Sequence, residues 1–209
     1  MDSHSDHPWP GSSDPSDLLA ETLEEDSPAS RATFGQVVRE IVETILLAAV
    51  IWVVINFTVA RYVVEGSSME PNLHTGQFLM VNRLAYVFNS PQRGDVIVFD
   101  YPGNPGDDYV KRVIGLPGER VVIRDGGIYI DDVRLEEAYL PSHMTMPGIG
   151  TWTVPEDSYF VLGDNRAHSS DSRSWGMLDL ESIIGKAWIS YWPPKYWGFV
   201  PHYTYNDIP

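Results

Sequence analysis

Glu65-Gly66-Ser67-Ser68-Met69-Glu70-Pro71-Asn72-Leu73 lies just beyond an apolar run, Ile41 to Ala60, and the chain changes character across that junction. About 20 helical residues cross a hydrocarbon core, and residues 41 to 60 supply that length, with Arg39 and Glu43 at one mouth and Arg61 at the other. A core helix would show a polar face, which this run lacks. A cleavable leader would be short and basic, whereas the residues before this run are many and acidic. The run therefore reads as a retained anchor helix over residues 34–61.

Beyond it the period shortens. Tyr62-Val63-Val64, Phe78 to Val81, Val96 to Phe99, Val110 to Ile114, Val121 to Ile123, Ile128 to Ile130, Tyr159 to Leu162 and Ile183 to Tyr191 are short β-branched or aromatic runs. Turn residues such as His74-Thr75-Gly76 and Asp125-Gly126-Gly127 separate them. This spacing predicts a mostly β fold: an antiparallel β-sandwich or partly open barrel over residues 62–209, carried on a single N-terminal transmembrane helix. Residues 137 to 153 read as an irregular excursion. The aromatic-rich end, Trp188 to Val200, suits a closing strand and core wrapping, with some contact to membrane lipid, because Trp and Tyr favour the headgroup level.

Formal charge over the 209 residues is −15. Residues 1–33 hold Asp2, Asp6, Asp14, Asp17, Glu21, Glu24, Glu25 and Asp26, with many Ser and Pro. Such a segment cannot bury enough apolar area to offset its ordering entropy, which predicts a disordered acidic tail with at most a marginal helix over Asp17 to Glu25. The acidic balance argues against a nucleic acid partner. With no cysteine and no metal-ligand spacing, neither a disulfide, a metal nor a cofactor is expected.

Two adjacent hydroxyls, Ser67 and Ser68, stand in the opening stretch, and a serine becomes a nucleophile only when a base takes its proton. No Gly-x-Ser-x-Gly elbow is present. The lysines are Lys111, Lys186 and Lys195, and Lys111 sits in the run Tyr109-Val110-Lys111-Arg112-Val113-Ile114. An amine is a base only when neutral. Burial in an internal strand would depress its pKa by penalising the ammonium. Asp164 with Arg166, and Asp171 with Arg173, place acids beside arginines near turn residues, which suits an ion-paired scaffold.

Ser68-Met69-Glu70-Pro71-Asn72-Leu73, Arg93-Gly94-Asp95-Val96, Lys111 to Gly118, and Gly163-Asp164-Asn165-Arg166 with Ser169, Asp171, Ser172 and Arg173 resemble, in order, the boxes of the bacterial type I signal peptidases. The resemblance implies a Ser/Lys dyad, with Ser68 as nucleophile and Lys111 as general base, and Ser169 helping to hold the amine. Some members add an oxyanion-binding hydroxyl at the position of Gly66. Its absence here implies reliance on the Ser68 backbone N–H, with water or Ser67 assisting. Tyr62, Val64, Met69, Val98, Tyr109 and Val110 are the implied lining of shallow substrate pockets. Asn72 departs from the threonine more usual in the family.

The implied partners are signal-peptide-bearing preproteins. The implied setting is a bacterial cell membrane crossed once, with the N-terminus cytoplasmic and the catalytic domain on the outer face. Arg31 and Arg39 before the span, against Arg61 after it, point the same way. Two other readings are a self-processing Ser/Lys peptidase of the repressor type, which would open with a DNA-binding domain, and a non-catalytic membrane-tethered peptide-binding module, which would not need an intact Ser68 and Lys111.

Overall fold

In the computed structural model, which describes residues 33–205, two antiparallel sheets form the framework of the chain after residue 58. The expected acidic tail and its marginal helix lie outside the described residues, except for Thr33. Helix α1, Phe34–Thr58, starts at Thr33, whose backbone N–H and hydroxyl both donate to the Gln36 side-chain oxygen at 2.9 Å while Gln36 N–H donates to Thr33 O at 2.7 Å. It is long and apolar enough to cross a membrane and none of its residues is buried. The sequence placed its end at residue 61. The structure ends it at Thr58, whose carbonyl takes Arg83 N–H at 2.9 Å, and turns Val59 to Val63 into a strand. The β-branched residues there satisfy their backbone by pairing with the strand that leads to Arg83, so Arg61 is a strand residue opposite Met80.

The strands in chain order are β1 Val59–Val63, β2 Phe78–Asn82, β3 Val96–Asp100, β4 Asp108–Gly115, β5 Arg120–Arg124, β6 Gly127–Ile130, β7 Val133–Arg134, β8 Gly150–Thr153, β9 Ser158–Leu162, β10 Leu178–Asp179, β11 Ile183–Trp192 and β12 Gly198–Phe199. A four-residue helix, α2 Ser172–Trp175, precedes β10. The larger sheet runs β1-β2-β11-β3-β4-β9-β10, with β12 pairing β11. The smaller runs β7-β6-β5-β8. Every expected strand is present. The expected irregular excursion, however, ends in β8, where Gly150 to Thr153 pair with Ile123 to Arg120.

One core lies against the small sheet, where Val121, Ile123, Ile128, Ile130 and Phe160 are fully buried. Others form on the large sheet, around Met69, Leu73, Leu79 and Val96 and around Ile97, Phe99, Val113 and Val161. Each such side chain stabilises the fold by about 1.5–3 kcal/mol through burial. The C-terminal aromatics do not fill a core as expected. Trp188, Trp192, Trp197 and Phe199 are exposed, because the inward positions of β11 and the residues after it are Ala187, Ser190 and Val200.

Candidate active site

Ser68 sits in the turn after β1, and backbone pairing continues past the strand to fix it. Val64 N–H bonds Gln77 O and Gly76 N–H bonds Val64 O, both at 2.8 Å. The turn is then coiled by Glu70 N–H to Ser67 O at 3.1 Å and Leu73 N–H to Met69 O at 2.9 Å. This helical winding drives Met69 and Leu73 into the core. It also corrects one sequence expectation. Met69 is fully buried and does not line the cleft, because the coil that exposes Ser68 turns its neighbour inward.

Lys111 lies midway along β4, opposite Ile97 of β3, and is 3% exposed. Its Nζ is 2.9 Å from Ser68 Oγ and also donates to Val110 O at 2.9 Å, with the Tyr109 ring 5.1 Å away. Burial pushes the Lys111 pKa down to about 8, against the opposing pull of Asp171 and Asp164. About a tenth of the amine is therefore neutral at pH 7, far more than for a lysine in water. The expected Ser169 contact is not made. Ser169 Oγ is buried without a hydrogen-bond partner among the described residues. It is turned against Gly163, where a Cβ would stand 2.1 Å from Ser169 Oγ and 2.5 Å from Ser68 O. Only glycine lets the two serines approach so closely, and the second hydrogen bond of Lys111 goes to Val110 O instead.

The dyad opens on a cleft of about 590 Å³. Tyr62, Val64, Val98, Tyr109 and Val110 line it, as do Gly66 and Ser67. Glu65, Asp107 and Asp108 add carboxylates to its lining. Behind it stand the acids and arginines, paired differently from their order in sequence. Asp164 and Arg112, both fully buried, form two bonds, Nε to Oδ1 at 2.8 Å and Nη2 to Oδ2 at 2.7 Å. Arg166 instead reaches Glu137, with Nη1 to Oε2 at 2.8 Å. Asp171 and Arg173 do pair, and Asp171 Oδ2 also accepts Gly163 N–H at 3.1 Å.

Four residues that hold this site were given no role from the sequence: Arg112, Asn72, Thr75 and Asn165. Asn72 Nδ2 donates to Asp164 Oδ2 at 2.8 Å, joining the serine turn to the loop after β9. Thr75 Oγ1 donates to Gly66 O at 2.8 Å. Asn165 donates to Ser67 O through Nδ2 at 3.1 Å and to Ser68 O through its backbone N–H at 3.0 Å. The adjacency of Arg112 to Lys111, which sends it to the opposite face of β4, was the one legible signal. The other contacts join residues too far apart in the chain to pair by inspection.

The profile of the family described as "Signal peptidase, peptidase S26" matches residues 38–192. The chain belongs to this signal peptidase family. It is 40% identical to a signal peptidase I of Bacillus caldolyticus over 68% of this chain and 85% of that protein. It is 35% identical to the signal peptidase IB of Staphylococcus aureus over 74% of this chain and 91% of that one. A crystal structure of a signal peptidase I from Enterococcus faecalis is 39% identical, covers 47% of this chain and 97% of its own, and superposes with a TM-score of 0.43. The chain is thus a peptide hydrolase of the serine type by family, with a mostly antiparallel β body after its apolar helix.

Proposed function

We propose that this protein is a membrane-anchored endopeptidase that removes signal peptides from exported preproteins, with Ser68 as nucleophile and Lys111 as its general base. The observation that carries the assignment is the 2.9 Å contact between Lys111 Nζ and Ser68 Oγ at the mouth of the cleft. The neutral amine takes the Ser68 proton as Oγ attacks the scissile carbonyl. The ammonium then gives that proton to the departing amine. A water, deprotonated by the same lysine, releases the acyl group from Ser68. The tetrahedral oxygen is bound by the Ser68 N–H, because Gly66 offers no hydroxyl.

The cleft suits an extended peptide. Leu79, Val98, Tyr62, Val64, Tyr109 and Val110 give it apolar walls, a lining that fits the small residues at a signal-peptide cleavage site. Ser68 follows ten residues after Thr58, the last residue of α1. At about 3.5 Å per extended residue that tether keeps the nucleophile near the end of the apolar helix. A precursor whose own apolar segment sits in the bilayer would deliver its cleavage site there. The arginine asymmetry supports a cytoplasmic N-terminus and an outward catalytic domain in a bacterial membrane. Ser169 supports the site by packing beside Ser68 against Gly163, while Asp164, Arg166, Asp171 and Arg173 brace the loop that carries it.

The test is cleavage of a precursor by detergent-solubilised protein, read by N-terminal sequencing of the product. Ser68→Ala and Lys111→Ala each lower the rate at least about 1000-fold with circular dichroism unchanged. Full activity in either variant ends the dyad assignment.

A further inference from the structure

The Ser68 N–H is committed to no acceptor among the described residues, and the structure fixes its direction from three sides. A peptide unit is planar, so the Ser67 carbonyl and the Ser68 N–H are opposite ends of one rigid plate. Asn165 Nδ2 holds the carbonyl end at 3.1 Å, and Glu70 N–H holds the same oxygen at 3.1 Å. The plate before it, from Gly66 to Ser67, is held by Thr75 Oγ1 on Gly66 O at 2.8 Å. The plate after it is held by Asn165 N–H on Ser68 O at 3.0 Å. Such pinning matters here because Gly66 has a φ of +82° and open space around it, so nothing in residue 66 itself restrains the turn. Asn165 is in turn fixed by its neighbours, Asp164 locked to Arg112 and Arg166 locked to Glu137.

We infer that Asn165 and Thr75 are positioning residues for the oxyanion site: their hydrogen bonds aim the Ser68 N–H at the developing negative charge in place of the absent side-chain donor at position 66. Bonding at the carbonyl end also polarises the peptide and strengthens its N–H as a donor. The inference rests on Ser68 being the nucleophile. A positioning loss of this kind acts only where charge develops, so it lowers kcat and leaves ground-state peptide binding alone.

The experiment compares wild type, Asn165→Ala, Thr75→Val and Ser68→Ala on one precursor peptide, with inhibition by a substrate-like peptide aldehyde. The aldehyde binds when Ser68 Oγ adds to its carbonyl carbon and the serine proton passes to the new oxygen, which then occupies the oxyanion position. Losing an oxyanion donor outright lowers kcat 10²–10³-fold, so misaiming it in Asn165→Ala lowers kcat by about 10-fold, with KM within about twofold. Aldehyde affinity falls in parallel, the affinity for an uncleavable peptide is unchanged, and the midpoint of the pH–rate profile stays where it is. Wild-type kcat in Asn165→Ala, or equal losses in kcat, peptide affinity and Tm, overturns the inference. Should Asn165→Ala not fold, Thr75→Val carries the test alone, with the same kcat-only loss expected and a wild-type kcat contradicting it. Activity in Ser68→Ala removes the underlying assignment instead, so the two failures are distinguishable.

Discussion

At the scale of single residues, Lys111 is where stability and chemistry oppose one another. Its pKa lies near 8 in the folded chain because burial penalises the ammonium, while an unfolded lysine titrates near 10.5. Between those pH values the unfolded chain holds the extra proton, so stability rises with pH there. Below pH 8 the full penalty of a buried charge is present, on the order of 3 kcal/mol. Lys111→Met, of similar length and without charge, is therefore expected to be inactive yet more stable at pH 7, by up to roughly 3 kcal/mol. The gain should shrink as pH passes 8 toward 10.5. Denaturant unfolding of both proteins across that range checks this, and an unchanged or lowered stability of Lys111→Met at pH 7 contradicts it.

At the scale of elements, the dyad depends on β4 and the loop after β9 keeping register. Arg112 of β4 binds Asp164 of that loop, and Asp164 binds Asn72 of the serine turn. Breaking a buried pair leaves an unpaired charge, so Asp164→Ala is expected to lose about 3–5 kcal/mol of stability. Activity should fall as well, since Asn72 then loses its anchor. Equilibrium unfolding at pH 7 measures the loss, and a change below about 1 kcal/mol would place the pair among surface contacts instead. The eight strands β1 to β6, β9 and β11 were legible in the sequence because the β-branched runs and turn residues are local signals, whereas the short β7, β8, β10 and β12 carry no such run and form by pairing with them. The end of α1 was not, because Val59 and Ala60 are apolar enough for a helix and become strand only through pairing with β2. Likewise Ser68 and Lys111 stood out by chemistry. The partners of Asp164 and Arg166 did not, since Arg112 and Glu137 are closer in space than any arginine or acid adjacent in sequence. Met69 failed as a pocket residue for the same reason: spacing does not reveal which way a coiled turn winds.

At the scale of the molecule, the C-terminal segment crosses the large sheet and binds it through His202. Nδ1 accepts Val96 N–H at 3.1 Å, so the proton on Nε2 is donated to Ala187 O at 2.8 Å. Burial, then the Lys186 charge, push this imidazole down to about 4, with Asp95 opposing. A histidine held neutral contributes stability above its unfolded pKa of about 6.5 and loses it as pH falls toward 4. His202→Asn should therefore unfold with a flatter pH dependence between 6.5 and 4 than wild type, as thermal melts across that window would show. Removing residues 1–33, in contrast, should leave turnover nearly unchanged, since the site is built wholly from residues beyond α1. The catalytic expectations rest on one claim, that a neutral Lys111 amine activates Ser68. Its most direct test is kcat/KM for precursor cleavage by the solubilised full chain as a function of pH. The rate should climb with pH through a midpoint near 8, the value set by burial of Lys111. A rate that peaks below pH 6 and declines above it would contradict a lysine base.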